Sequence, residues 1–142
     1  MRIGDILEEK GNQVFTLPEA APVAQAVDML GENNIGVVVI TAANGDVVGI
    51  LSERDIVRRL REHGAAALES GLEKCMTRDP FTCSRDASVD EVMGTMSKRR
   101  IRHMPVVEGG KLLGLVSIGD IVKRKIEQAE REAAALRDYI AS

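Results

Sequence analysis

Aromatic side chains are scarce in this sequence, which has two Phe, one Tyr and no Trp among 142 residues. Proteins that bind single-stranded nucleic acid stack bases on aromatic side chains, so this stock excludes that class. Positive charge is not in excess either, because 19 Lys and Arg residues stand against 22 Asp and Glu, a net charge of −3. A broad phosphate-binding surface needs the opposite balance, and we expect no nucleic-acid partner.

Cysteines and long hydrophobic runs are also lacking. Cys75 and Cys83 are too few for a disulfide framework. The most hydrophobic run, residues 37–40, has the length of a strand and is far too short to span a membrane. The amphipathic, acidic residues 1–9 do not resemble a signal or transit peptide. We therefore expect a cytoplasmic protein that has no membrane partner.

No motif for catalysis or metal binding is present. Cys75, Cys83, His63 and His103 lack the spacing of a zinc site, so we predict no metal. There is also no Walker loop and no dinucleotide fingerprint. A thiol-dependent hydrolase stays as an alternative, although it would need a base positioned beside a cysteine. We predict that the protein has no catalytic residues, is not an enzyme, and binds any nucleotide without cleaving it.

The sequence contains an internal duplication. Residues 15–16 recur as 81–82, a separation of 66, and residues 49–57 recur as 114–122, a separation of 65. The lost residue is most simply placed in the turn after Ile40, where a change of length disturbs neither flanking element. Register that is kept on both sides of a gap rarely arises by chance, so we infer two tandem copies.

Each copy predicts the order strand, helix, strand, strand, helix. Pro22 suits the first position of a helix in the first copy, and Ser88 with Glu91 forms a capping box in the second. The pairs 44–45 and 109–110 favour the positive φ of tight hairpin turns. The sequence therefore predicts an α+β fold.

Neither copy is long enough to be confidently stable alone, because small domains bury too little surface. We expect the copies to pack sheet to sheet about a pseudo-two-fold axis. The predicted domains are residues 1–66 and 67–126, joined by a linker rich in small residues at 64–73. Residues 127–142 are predicted to form a C-terminal helical extension.

This extension continues an apolar seam with heptad-like spacing. Its members are Val122, Ile126, Ala129, Ala133, Leu136 and Ile140. The seam either packs on its own domain or meets a second subunit. We favour the second subunit because the extension outruns the repeat.

A Ser-x-x-Asp pattern opens the last helix of each copy, as Ser52 to Asp55 and as Ser117 to Asp120. The free backbone N–H groups of a helix start suit a phosphate, and a carboxylate can accept two hydrogen bonds from a ribose diol. The alternative is a helix cap in which Ser accepts from the backbone and Asp favours the first turn. The two roles can coexist.

The doubled pattern of glycine, two apolar residues and Ser-x-x-Asp at residues 49–57 and 114–122, together with residues 100–107, resembles a pair of cystathionine-β-synthase (CBS) domains, the Bateman module. The resemblance covers residues 2–126. It implies two CBS repeats that bind an adenine nucleotide ligand between them, namely AMP, ADP, ATP or NAD, and sometimes S-adenosylmethionine. It also implies a regulatory role.

In this family each cleft combines the Ser-x-x-Asp of one copy with the early strand and helix start of the other. The first cleft is then predicted to hold Ser52, Arg54, Asp55, Thr82, Ala87, Ile101, Arg102, His103 and Pro105. The second is predicted to hold Ser117, Asp120, Thr16, Ala21, Ile35 and Gly36. By the same resemblance the two threonines reach the base, and Ile35, Ile101 and Pro105 can sandwich an adenine.

The resemblance makes the two clefts unequal. Arg102 and His103 stand where the family meets the phosphates, and the planar guanidinium suits two phosphate oxygens. Arg100, just before them, fits better as a cation at a helix end. The first copy has Gly36 and Val37 in place of the pair. We expect a basic first cleft for a ligand with more phosphate, such as NAD or ATP, and a nearly neutral second cleft.

These expectations combine into a stand-alone sensor of energy or redox state. The resemblance implies a homodimer that reports ligand binding to a protein effector not identified by the sequence. The alternative is a structural dimerisation module whose clefts stay without ligand.

Overall fold

The computed structural model describes all 142 residues. Its helices are α1 (Ile3–Lys10), α2 (Val23–Asn33), α3 (Glu53–His63), α4 (Val89–Arg99) and α5 (Ile118–Ala141). Its strands are β1 (Thr16–Pro18), β2 (Val37–Thr41), β3 (Val47–Ser52), β4 (Thr77–Arg78), β5 (His103–Glu108) and β6 (Lys111–Ser117). No helix in this set has both the length and the apolar character needed to cross a membrane.

Each copy builds its own sheet. In the first sheet the order is β1-β2-β3-β4, with β1 parallel to β2 and the other neighbours antiparallel. In the second sheet β5 and β6 form an antiparallel hairpin. The extended piece predicted at 81–83 forms no full strand, but Cys83 makes a parallel bridge to Val106 in the place that β1 takes in the first copy. The α+β class and the tandem repeat are confirmed.

Two predicted helix starts differ in detail from the structure. Pro22 is the N-cap of α2, one residue before the helix rather than its first residue. At α4 the Ser88 hydroxyl accepts a hydrogen bond from the Glu91 N–H at 3.0 Å, which is one half of the predicted capping box. The helices nevertheless begin within one residue of the expected places.

Two hydrophobic cores form, and each includes residues from outside its own repeat. Helix α1 places Ile3 and Ile6 in the core of the second copy. Leu72 and Met76, which lie at the start of the predicted second domain, belong to the core of the first copy. Residues 64–73 are therefore not a bare linker, because they form two short 3₁₀ helices that pack against the first copy.

This exchange is reciprocal in its hydrogen bonds. The Ile3 N–H donates to the Ala87 carbonyl at 2.9 Å, and the Leu72 N–H donates to the Ala21 carbonyl at 2.9 Å. Ala21 and Ala87 are equivalent positions, 66 residues apart. The segment that precedes the strands of each copy, α1 in the first and residues 70–76 in the second, is here called its leading segment. Each leading segment packs on the other copy, as two-fold related partners do.

The apolar seam of α5 does not pack on its own chain. Val122 is 46% exposed, Ile126 53% and Leu136 60%. Of the two alternatives for this seam, packing on its own domain is therefore absent from the structure. The seam is left as an apolar surface that a partner could cover.

Candidate functional site

A cleft with a volume of about 610 Å³ lies between the two copies. This volume falls in the range of small-molecule sites, about 300–1,000 Å³. One wall comes from the first sheet and the helix after it, at the start of β2, the end of β3, β4 and the start of α3, and the other comes from residues 79–81 and 100–103. Six of the residues predicted for the first cleft line it: Ser52, Arg54, Asp55, Ile101, Arg102 and His103.

Three residues predicted for this cleft lie outside its walls. Ala87 packs against the core of the second copy, and Pro105 is buried within β5. Thr82 is exposed and precedes the parallel bridge at Cys83. The structure therefore does not bring these three side chains together with the other six.

One wall of the cleft is the start of α3. The Ser52 N–H donates to Asp55 Oδ2 at 2.9 Å, and the Ser52 hydroxyl accepts from the Asp55 N–H at 3.3 Å. This reciprocal cap fixes the carboxylate at the helix start. Asp55 Oδ1 makes no backbone hydrogen bond and lies 3.5 Å from Arg58 Nη1. The capping role thus leaves one carboxylate oxygen free to accept from a ligand.

The opposite wall begins with a strained residue. Arg100 ends α4 in the left-handed conformation, with φ 55° and ψ 44°. Asn34 ends α2 in the same way with φ 54°, and Asn is a residue that tolerates this region. Arginine has no such preference, and residues held in sparsely populated backbone regions cluster at functional sites. Arg100 lines the cleft, so its assignment to the helix end alone was incomplete.

The cleft is rich in positive charge. Five arginines line it, at positions 54, 58, 78, 100 and 102, against the three carboxylates Glu53, Asp55 and Asp79. One guanidinium group can bind two phosphate oxygens at once, so the cleft suits a polyanion. Sequence reasoning missed Arg58 and Arg78. Arg78 arrives through the pairing of β4 with β3, a long-range contact with no local signal.

His103 lies between the cleft and the start of α5. Burial lowers the pKa of this imidazole below its ordinary value of 6.5, and the positive charges of Lys10 and Arg102 lower it further against the opposing effect of Asp120. The neutral imidazole is therefore favoured in the absence of a phosphate, even with Asp120 nearby. An arriving phosphate would favour the charged form instead.

The residues predicted for the second cleft are spread over separate places. Ile35 and Gly36 line a groove of about 450 Å³ between α2 and α3, and Gly36 also lines the first cleft. Ala21 is buried in the first core, and Thr16 is exposed on β1. Ser117 and Asp120 form a second reciprocal cap at the start of α5, at 2.8 and 3.1 Å. The structure does not gather these six residues around one cavity.

Asp120 is already bound to a cation. Lys10 Nζ lies 2.7 Å from Asp120 Oδ2 and donates to the Leu115 carbonyl at 3.0 Å. Burial raises the pKa of Asp120, but the hydrogen bonds from Lys10 and from the Ser117 backbone lower it by more. The pKa of Asp120 therefore lies below its ordinary value of 3.8. The carboxylate predicted for the nearly neutral second cleft is thus paired with a lysine of the same chain.

Neither cysteine has the environment of a nucleophile. Burial raises the pKa of Cys83 to about 11. Burial and the charge of Asp55 raise the pKa of Cys75. The thiolate is the reactive form, so both environments oppose the thiol-dependent alternative. No three His, Cys, Asp or Glu side chains lie close enough together to hold a metal ion.

Two α+β repeats that complete each other and share a basic cleft define a tandem-repeat module. The family model of the CBS domain matches residues 3–62 and 72–127, and the chain belongs to this family. A CBS-domain protein from Agrobacterium tumefaciens is 38% identical, with a TM-score of 0.82 over 87% of this chain and 92% of that one.

Two further solved structures contain ligands. A CBS-domain protein from Pyrobaculum aerophilum, complexed with AMP, is 28% identical, with a TM-score of 0.76 over 84% of this chain and 89% of that one. The CBS domain pair of protein MJ0100, in complex with 5′-methylthioadenosine and S-adenosyl-L-methionine, is 28% identical, with a TM-score of 0.80 over 90% and 98%. The ligands of both relatives contain adenosine.

Proposed function

We propose that this protein is a regulatory module that binds an adenine nucleotide in the cleft between its two CBS domains. The observation that carries the proposal is the placement of Asp55 opposite residues 100–103 in one cavity. The free oxygen of Asp55 suits a ribose diol, and the helix start and the arginines suit phosphates. The adenosine-containing ligands of the two relatives support this assignment.

The charge of the cleft favours a ligand with more than one phosphate, such as ATP, ADP or NAD. Five arginines exceed three carboxylates along its walls. For the base, the apolar side chain of Ile101 and the half-exposed ring of Phe81 are available. The Arg99 guanidinium carbon lies over the Phe81 ring, 5.0 Å from the ring centre, a distance at which a cation is attracted to the ring.

The proposed signal is a change in the angle between the copies. Since the walls of the cleft belong to different copies, a ligand that contacts both stabilises the arrangement in which both contacts are made. The proposed homodimer rests on exposed apolar side chains at equivalent positions, Val57 on α3 (63%) and Val122 on α5 (46%). The protein effector would read the resulting dimer surface.

Titration calorimetry with AMP, ADP, ATP and NAD tests the proposal. We expect at least one of them to bind. Arg102→Ala should weaken the binding of the most highly charged ligand by about 10-fold or more, which is the loss expected for a charge-assisted hydrogen bond. Asp55→Asn should weaken all four through the ribose. Arg131→Ala, on the exposed face of α5, is the matched control. A dimer that binds none of the four would support the alternative of a structural dimerisation module.

A further inference from the structure

The outer edges of the two hairpins are covered by different elements of the chain. In the first copy the edge of β3 is covered by β4, with Gly49 paired to Arg78 and Ile50 to Thr77. In the second copy the equivalent of Ile50 is Leu115, and its carbonyl accepts from Lys10 Nζ. Helix α1 thus occupies the place that β4 takes in the first copy.

The packing beside this contact is close. A Cβ atom added to Gly114 would lie 2.7 Å from Leu7 Cδ2, so α1 fits directly against β6. Lys10 is the last residue of α1, and the chain leaves the helix at Gly11 with φ 88°. The position of the Lys10 ammonium is therefore fixed by a packed helix and two hydrogen bonds.

The ammonium competes with a ribose for the Asp120 carboxylate, because it neutralises the carboxylate charge and leaves only Oδ1 without a hydrogen bond. Ser117 N–H and Lys10 Nζ both donate to Asp120 Oδ2. The side chains of Lys10 and Asp120 are 37% and 23% exposed, so the pair is partly withdrawn from water. The positions equivalent to Arg102 and His103 are Gly36 and Val37, which supply no cation for a phosphate.

We infer that Lys10 is a built-in occupant of the position beside Asp120 where the second cleft was predicted. It satisfies Asp120 and the β6 edge from within the chain, so the module binds one nucleotide per chain, in the first cleft. This inference rests on the proposed function for its ligand, and it adds the stoichiometry and the residue that sets it.

Titration calorimetry with ATP and AMP at pH 7 tests the inference through stoichiometry. Wild-type protein and Lys10→Arg, which keeps the cation, should bind one ligand per chain. Lys10→Met keeps the aliphatic chain and removes the charge, and it should raise the number to two. The added event should vanish in the Lys10→Met/Asp120→Asn double variant. Thermal unfolding of each variant verifies that it is folded.

A test on the native Lys10 background needs no change to α1. Asp120→Asn alone should leave the stoichiometry of the wild-type protein at one, because Asp120 is not used by the ligand. A wild-type stoichiometry of two that falls to one in Asp120→Asn would overturn the inference. So would a Lys10→Met protein that is folded and still binds one.

The two proposals fail separately. If Asp55→Asn loses the nucleotide binding of the wild-type protein and Lys10→Met binds no additional nucleotide, the proposed function is upheld and the role of Lys10 is overturned. No binding in wild type, with a gain in Lys10→Met that depends on Asp120, overturns the proposed function of the first cleft and upholds the role of Lys10. No binding in either protein overturns both.

Discussion

Asp46 and Lys111 occupy equivalent positions of the two copies, 65 residues apart, and they bind each other, with Lys111 Nζ 2.8 Å from Asp46 Oδ1. A residue that contacts its own counterpart lies at the axis that relates the copies. The Val47 N–H also donates to the Gly110 carbonyl at 3.2 Å, so the hairpin tips join through their backbones. Two identical charged residues would repel each other at these equivalent positions, whereas the opposite charges of Asp46 and Lys111 attract.

Reversing one charge at this contact should loosen the joint between the copies. Asp46→Lys places two ammonium groups together, and we expect a lower melting temperature and weaker nucleotide binding. The exchange Asp46→Lys/Lys111→Asp should restore both, because it restores the opposite charges. Both side chains are about half exposed, so the effect should shrink at high salt. Equal melting temperatures for the single and exchanged variants, measured at low salt, would contradict this role.

The strained backbone at Arg100 predicts a trade of stability for binding. Arg100→Asn places a residue that accepts the left-handed conformation, and we expect the free energy of unfolding to rise by about 1 kcal/mol. The same change removes a guanidinium from the cleft, so nucleotide affinity should fall. Denaturant unfolding and calorimetry measure the two quantities.

Asn34 provides the matched control for Arg100, since it ends α2 with nearly the same φ. Asn34→Arg should destabilise the fold by a similar amount and leave nucleotide affinity unchanged, because Asn34 does not line the cleft between the copies. If Arg100→Asn destabilises the protein, or leaves affinity intact, the strain serves another purpose.

The lowered pKa of His103 predicts that nucleotide binding takes up a proton. Burial favours the neutral ring, and a bound phosphate favours the imidazolium, so affinity should rise as the pH falls from 8 toward 6. Calorimetry in buffers of different ionisation enthalpy measures the proton uptake. His103→Gln should lose the proton uptake that is due to the imidazole and keep the proton uptake that is due to the phosphate itself. An identical uptake in both proteins would exclude His103 as a phosphate contact.

The same shift has a consequence for stability without ligand. Because the folded pKa lies below 6.5, the unfolded chain binds the proton more readily. The contribution of His103 is therefore fully present above pH 6.5 and is lost as the pH falls through the folded pKa. His103→Gln should flatten the dependence of the unfolding free energy on pH in this window, and an unchanged slope would show that the ring is solvated.

The ion pair of Lys10 and Asp120 predicts stability in a more acidic window. The folded pKa of Asp120 lies below 3.8, so its contribution is present above that value and is lost as the pH falls through the folded pKa. Wild type should exceed Lys10→Met at pH 7 by at most about 1 kcal/mol, as for partly exposed pairs. The difference, measured by denaturant unfolding, should disappear toward pH 2. A difference that persists there would come from packing of the aliphatic chain.

Much of the fold follows from local pattern. The repeat, the turns at residues 44–45 and 109–110, and the caps at Ser52 and Ser117 are set by residues close in sequence. What the sequence could not show is which copy each leading segment joins. The exchange of α1 and residues 70–76 depends on contacts between distant parts of the chain, and apolar periodicity does not reveal its partner.

The site divides in the same way. Local pattern showed the helix cap of Ser52 and Asp55, and it was the resemblance to CBS domains that predicted Ser52, Asp55 and Arg102 in one cleft. Arg78 could not be predicted, since only the pairing of β4 with β3 brings it there. Lys10 could not either, because its contact with Asp120 spans 110 residues. The repeated Ser-x-x-Asp pattern predicted two sites, which Arg102 and His103 on one side only already made unequal, and the contact of Lys10 with Asp120 adds a second difference that comes from long-range packing.

A crystal structure of the wild-type protein grown with ATP examines the main assignment without any substitution. We predict one nucleotide per chain, with its ribose hydroxyls within hydrogen-bond distance of Asp55 and its phosphates against Arg102 and His103, while Lys10 stays on Asp120. Crystals at saturating ATP in which the cleft of Asp55 holds only water would contradict the account.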